Sequence, residues 1–249
     1  MESRGVYDFS VAIPAYNEAA LLPRMLRSAN AARERYRGGP GAIEVIVADN
    51  CSTDATAAIA AEHGARVVPV AKRCIGAARN GAGRAARGRI LCFVDADSIL
   101  HPETFNEIRD VTAGADWACG ATGLRMERTS FAIGVTLAVA IPLTWLFRVD
   151  SGVVFCRRED FAAIGGYRED VLAGEDVDFL HRLKRLGRKQ SRGRFVRVPT
   201  ARTITSTRKF DRHGDWHFLR MMVTMPFTYL MWRKRADQFI WRHWYADRE

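Results

Sequence analysis

The chain has 249 residues, 48% of them hydrophobic and 27% charged, enough for one domain of generous size or two small ones with a sizeable core. It contains no internal repeat or low-complexity tract, and its opening Met-Glu-Ser-Arg does not read as a secretory leader. Five cysteines, an odd number with no CxxC pair, argue against a disulfide framework and for reduced thiols in a cytoplasmic protein.

The net charge of +10 is uneven. Residues 181–249 hold 18 Lys and Arg against 5 Asp and Glu, net +13, which leaves 20 against 23, net −3, for residues 1–180. A basic third of this kind calls for an anionic partner: nucleic acid, anionic lipid or the phosphates of a substrate.

In chain order, residues 9–13 form a first predicted strand, halted by Pro14, and Asn17 is placed to cap a helix with Leu21, Leu22, Met25, Leu26 and Ala29 on its apolar face. A Gly38-Gly39-Pro40-Gly41 loop leads to a second strand over residues 43–48, ending at Asp49. Ser52 is the expected cap of the Ala-rich helix that Gly64 stops. Residues 66–70 read as a third strand, and residues 75–87 as a helix despite Gly81 and Gly83. Gly88 then precedes a short unbroken apolar run, Leu91 to Val94, of the kind that fits a strand buried on both faces. Pro102 opens another helix. Alternating strands and helices predict an α/β fold with a mostly parallel sheet and helices on both faces.

The polar clusters fall at the strand ends. Pro14-Ala15-Tyr16-Asn17-Glu18 follows the first strand, Asp49 the second, and Asp95-Ala96-Asp97 the apolar run at 91–94. Parallel strands end on one edge, where ligands of open α/β sheets bind. Two carboxylates one residue apart on that edge, Asp95 and Asp97, suit a hard divalent cation that also grips phosphate oxygens. No GxGxxG follows the first strand, which counts against an ordinary dinucleotide fold.

These motifs, followed by Gly76-Ala77-Ala78-Arg79-Asn80 and Gly174-Glu175-Asp176, resemble in order those of family-2 glycosyltransferases of the GT-A (nucleotide-diphospho-sugar transferase) fold. The resemblance covers roughly residues 8–210. It implies a nucleotide-sugar site in which Pro14, Ala15, Tyr16 and Glu18 line the nucleoside, with Glu18 near the ribose. It implies Asp49 on the base edge, Arg79 approaching base and phosphates, and Asp95, Ala96 and Asp97 at the ribose and metal. Asp97 would ligate Mg2+ or Mn2+ directly, with Asp95 on ribose or metal. Asp176 is the implied general base, and Glu175 orients its neighbours. Ser151 and Gly152 are expected near the donor sugar or acceptor. Arg208, Lys209 and His213 are expected at a loop over the diphosphate and its metal. Asn50 and Cys51 depart from the Asp-Gly common after the second strand's Asp.

Residues 131–147 carry no charge, but the stretch is 17 residues long with Pro142 inside, shorter than the roughly 20 needed to span a bilayer. It also lies between motifs that must share one aqueous site, so it is read as a helix buried or resting on a membrane. Trp117 and Trp145 are expected in the core, with the wall of an acceptor pocket as the alternative. After residue 210 the chain mixes apolar, Trp and Tyr residues with Arg233-Lys234-Arg235, a pattern that fits either the lipid interface or a helix packed on the core.

The expectation is therefore a GT-A domain over residues 1–210, with its nucleotide half at 1–100 and its acceptor half at 101–210, plus a basic helical tail at 211–249. Its activity would be inverting transfer of a hexosyl group from a UDP- or GDP-sugar to a lipid-linked or glycan acceptor at the cytoplasmic membrane face. Its partners are the donor, that acceptor and a peripheral membrane contact, with no nucleic acid. A related nucleotidyltransferase and a soluble transferase with a small-molecule acceptor are the competing readings. The nucleotidyltransferase would need a Gly-rich basic loop after the first strand, and Pro14-Ala15-Tyr16-Asn17 does not supply one.

Overall fold

The computed structural model describes residues 7–146, 150–171, 174–217 and 219–222, with the side chains of Leu143 and Trp145 outside that description. The order is β1 (Tyr7–Ala15), α1 (Leu22–Glu34), β2 (Ile43–Asp49), α2 (Thr56–Glu62), β3 (Arg66–Pro69), α3 (Ile75–Ala85) and β4 (Gly88–Phe93). There follow β5 (Ser98–Ile99), α4 (Thr104–Val111), β6 (Trp117–Ala121), β7 (Leu124–Met126), α5 (Phe131–Leu146), β8 (Val154–Arg157) and α6 (Arg158–Ala163). The described elements end with α7 (Glu175–Lys189), β9 (Arg194–Arg197), β10 (Thr203–Thr205) and α8 (Arg208–His213).

Chain contacts divide these elements into two units, Met1–Arg125 with Asp150–Thr205, and Met126–Val149 with Ser206–Glu249. The first unit contains a seven-stranded sheet in the order β3-β2-β1-β4-β8-β6-β9. β1 pairs in parallel with β2 and β4, β2 with β3, and β6 with β9, whereas β8 runs antiparallel to both β4 and β6. A second sheet has the order β5-β10-β7.

The central strands are buried on both faces, which explains their unbroken apolar runs. Phe9, Val11, Ile13, Val45 and Val47 join Leu22, Met25 and Leu26 of α1 in one cluster. On the other side Phe93 meets Phe161, Tyr167 and Phe179, with ring centroids 5.1 to 5.7 Å away. α3 tolerates Gly83 because a side chain there would lie 2.5 Å from the Phe161 ring. Trp117 is a core residue, 2% exposed, with its indole N–H donating to the Thr112 carbonyl.

Several local expectations differ from the structure. β1 continues through Pro14, which pairs with Ala48 of β2. Pairing of β1 with β4 ends at Ala12, so the N–H that proline lacks falls where that ladder is already over. Asn17 does not cap α1, which starts from Leu21 without a side-chain cap. Ser52 does not cap α2, whose first turn is entered from Ala55. Pro102 precedes α4 instead of opening it, and Gly88 is the first residue of β4.

All five cysteines are free thiols; Cys51 is exposed and the other four are buried. Burial pushes the Cys119 thiol up to about 12, which keeps it protonated and unreactive.

Candidate active site

The loops leaving β1 and β2 are strapped together at the carboxyl edge of the sheet. Ala15 and Asp49 are register partners, and Asn50 N–H donates to the Ala15 carbonyl. Asn17 and Cys51 both take positive φ, 49° and 63°. Asn17 tolerates this because its short amide bonds locally: its Oδ1 accepts from Thr53 N–H at 2.8 Å, and its own N–H donates to Ser52 Oγ at 3.1 Å. Glu18 N–H donates to Thr56 Oγ1, and Ala19 N–H to Asp54 Oδ2. That use of Asn17 and Ser52 explains why neither is available as a helix cap.

Asn50, the departure noted in the sequence, organises the next segment. Its amide donates to the carbonyls of Val70 and Lys72 at 2.9 and 2.7 Å and accepts from Cys74 N–H at 3.0 Å. This fixes the turn that launches α3. Beside it, the Arg73 guanidinium lies 4.1 Å from the centre of the Tyr16 ring and donates to its hydroxyl. Glu18 is buried, Pro14 and Ala15 are buried, and Asp49 is half-buried with Oδ1 accepting from Ser52 N–H.

The centre of the site is Arg79. Its side chain is 5% exposed and it reaches three carboxylates: Asp95 Oδ1 at 3.0 Å, Glu175 Oε1 at 2.8 Å and Asp176 Oδ1 at 3.1 Å. Burial opposes its charge, and Asp176, Asp95 and Glu175 more than offset that, holding the guanidinium protonated. Arg79 Nε is buried without a hydrogen-bond partner.

Asp176 lies in the acidic first turn of α7, which Gly174 enters at φ +74°, and the helix macrodipole favours negative charge there. Its pKa is nevertheless raised to about 6, by burial first, opposed by Arg79 and reinforced by Glu175 and Asp95. Tyr167, 2% exposed, donates its hydroxyl to Asp176 Oδ1 at 3.1 Å. Asp178 pairs with Arg182 one turn on, at 2.8 Å.

Asp95 is exposed and Asp97 half-buried, and the Asp97 backbone carbonyl accepts from Arg24. Between them Ala96 is buried. As a donor set, two carboxylates at the sheet edge match the oxygen preference of Mg2+ or Mn2+, with remaining positions open to ligand oxygens. No group of three or more His, Cys, Asp or Glu arranged to hold a metal ion by itself occurs among the described residues, so a cation here would depend on its ligand for completion.

Ser151 and Gly152 enter β8, whose Val154 pairs with Phe93, and therefore approach the edge where β4 delivers Asp95. Gly152 has φ +93°, and a Cβ there would lie 2.4 Å from the Gly123 carbonyl, so packing demands glycine. Arg208, Lys209 and His213 lie on α8 in the second unit. There Arg128 clamps Asp211 and Asp215, each at 2.6 Å, and His213 stacks on His217. Trp145 as a core side chain, and residues 223–249 as a lipid-facing tail, fall outside the described residues.

Sequence reasoning missed Tyr167 and Arg73, and it placed Asn80 in a motif without assigning its grip on Tyr167. The Gly165-Gly166-Tyr167 triplet was the available signal for the first, but no periodicity marks a lone aromatic after a glycine pair.

Residues 10–130 match the sequence model of Glycosyl transferase family 2. Over that stretch the chain is similar to the family-2 glycosyltransferases. A dolichyl-phosphate beta-glucosyltransferase of Drosophila melanogaster is 38% identical over 107 residues, 39% of this chain and 33% of that protein. The matched stretch spans a third to a half of the length of the curated relatives it matches. Among solved structures, the mannosyltransferase PcManGT of Pyrobaculum calidifontis, in complex with GDP-Man and Mn2+, superposes with TM-score 0.65 at 20% identity, covering 90% of this chain and 62% of that one. S. aureus TarS in complex with UDP-GlcNAc gives TM-score 0.62 at 19% identity, covering 80% and 58%. The sheet of the first unit is thus the GT-A fold of the family-2 glycosyltransferases.

Proposed function

We propose that the chain transfers a hexosyl group, with inversion, from a UDP- or GDP-sugar to an acceptor hydroxyl. The observation that carries this reading is the Arg79 node. One buried guanidinium joins Asp95, at the end of β4, to Glu175 and Asp176, at the start of α7, on the edge where Ala15 and Asp49 meet. Donor-binding and proton-accepting groups are thereby held in one constellation.

In this reading Ala15, Tyr16, Glu18 and Asp49 border the nucleoside, and Asp95 and Asp97 hold a divalent cation. That cation, when bound, stabilises the charge gathering on the diphosphate leaving group. The acceptor oxygen attacks the anomeric carbon from the face opposite the diphosphate. The bond from that carbon to the diphosphate oxygen breaks with its electron pair on the nucleoside diphosphate, and the hydroxyl proton passes to Asp176. A carboxylate with a pKa of about 6 is ionised near neutrality and still basic enough to take that proton. Ser151 and Gly152 line the sugar or acceptor side.

A lipid-linked or glycan acceptor at the cytoplasmic membrane face is the proposed partner. α5 supports it: no residue of its 16 is charged, and Phe131, Ile141 and Leu146 are 82%, 50% and 73% exposed. No helix among the described residues is long and apolar enough to cross a membrane, so the contact would be peripheral.

The test is thermal stabilisation by UDP, GDP and other nucleoside diphosphates, each with and without Mn2+. Stabilisation by one nucleotide that requires the metal and is lost in Asp97→Asn fits the proposal. Absence of any nucleotide effect, with the protein folded, removes it.

A further inference from the structure

We propose that Tyr167 is a positioning residue that fixes which oxygen of Asp176 accepts the proton. The inference rests on the assignment of Asp176 as general base. Its observation is that a hydrogen bond and an ion-pair contact converge on a single carboxylate oxygen. The Tyr167 hydroxyl and Arg79 Nη1 each lie 3.1 Å from Asp176 Oδ1. Oδ2 receives neither, and on this proposal it is the atom that takes the proton from an acceptor hydroxyl.

A carboxylate needs such anchoring, because the terminal torsion of Asp is broad and two-fold. A single donor leaves the two oxygens free to exchange. A hydrogen bond and a guanidinium contact on one oxygen set the carboxylate plane and define the basic atom, which is what near-attack geometry demands.

Tyr167 is held with unusual thoroughness for this task. Its ring stacks on Phe179 at 3.9 Å with 10° between planes, and Phe93 meets it edge-on at 5.1 Å. Its backbone is pinned by one side chain of α3. Asn80 Oδ1 accepts from Tyr167 N–H at 2.7 Å, and Asn80 Nδ2 donates to the Tyr167 carbonyl at 2.9 Å. Phe179 stands on the same helix as Asp176, and Asn80 follows Arg79. The tyrosine and the arginine are therefore referenced to the same two helices as the carboxylate they grip.

The charged groups facing Asp176 are Arg79 from α3, Asp95 from the end of β4 and Glu175 on its own helix, with the Tyr167 phenol completing the set. A hydrogen bond to the ionised carboxylate favours that form. Tyr167 therefore works with Arg79 against burial and the two neighbouring acids.

Tyr167→Phe keeps the ring stack and deletes one donor. With a hydroxyl acceptor, we expect kcat to fall about tenfold or more, while the donor KM and nucleotide-induced stabilisation stay unchanged. The acid limb of kcat/KM should move to higher pH by about one unit, because the carboxylate loses a donor that favours its charge. A merely structural phenol would change the unfolding midpoint and move neither kcat nor the limb. If Tyr167→Phe is folded with both unchanged while Asp176→Asn is inactive, the role of Tyr167 is overturned and the base assignment stands. If Asp176→Asn itself turns over normally, the base assignment fails and this inference falls with it.

Discussion

Arg79 and Glu175 stand 96 positions apart in sequence and bond at 2.8 Å, joining α3 to the first turn of α7. The contact matters because the guanidinium is buried and serves three acids at once. Removing one partner of a buried ion pair leaves the others uncompensated, typically at 3 to 5 kcal/mol. Asp95 is 54% exposed, so water screens that arm and the low end of the range applies. Arg79→Gln should therefore lose about 3 kcal/mol in urea unfolding, read as a lower midpoint at unchanged slope.

Asp176→Asn removes the proposed proton acceptor and leaves its shape. Turnover should fall by about 10²- to 10⁴-fold, with nucleotide-induced stabilisation retained. Retention of binding with loss of turnover separates a base from a donor-binding group. A near-normal rate with a phosphate acceptor, already ionised, would assign Asp176 to orientation alone.

The pH dependence has a definite sign. The Asp176 pKa is raised to about 6, chiefly by burial. Below that value the carboxylate is protonated and cannot accept a proton, so kcat/KM should rise with pH and level off above about 6 to 7. Arg79 lowers this pKa, so Arg79→Gln should push the limb further up. A limb that stays in place would show that the guanidinium does not act on the titrating group.

Asn50→Ala deletes three hydrogen bonds from a residue that is 4% exposed. At about 1 kcal/mol each, the cost is roughly 2 to 3 kcal/mol. Protection of amides at residues 70–75 against hydrogen exchange should fall first, because those bonds hold that turn.

For α5, Ile141→Asp places a charge on an exposed apolar face. Flotation with vesicles rich in phosphatidylglycerol should weaken, whereas unfolding should be little affected. Equal flotation of both proteins would remove α5 from the lipid contact.

Much of this architecture was legible in the chain. Residues 43–48 and 91–94 read as buried strands because apolar side chains occupy both faces, and their acidic ends announced the ligand-binding edge. Strand direction was not legible. β8 is an apolar run like the others, and nothing in Val154 to Arg157 tells that it lies antiparallel beside β4. Pro14 misled because the rule against proline in strands applies only where a neighbour awaits its N–H. The Arg79 motif was visible, but its burial among three acids depends on residues at 95, 175 and 176 arriving together. Tyr167 offered no spacing signal, since its role comes from a ring stack and a tertiary hydrogen bond. The grouping of residues 126–149 with those after 205 is likewise a long-range property, silent in local pattern.

The close packing of Gly152 against Gly123 carries a last consequence. Residues 123 and 152 approach closely, so the chain between them leaves the seven-stranded sheet and returns to it at nearly one point, with β7 pairing in the smaller sheet on the way. Chain spliced at such a seam can lengthen, shorten or change character while the strands on either side keep their pairing. The excursion holding α5 is accordingly the part of this protein most open to exchange: a shorter linker from 125 to 150 should still yield the folded seven-stranded sheet.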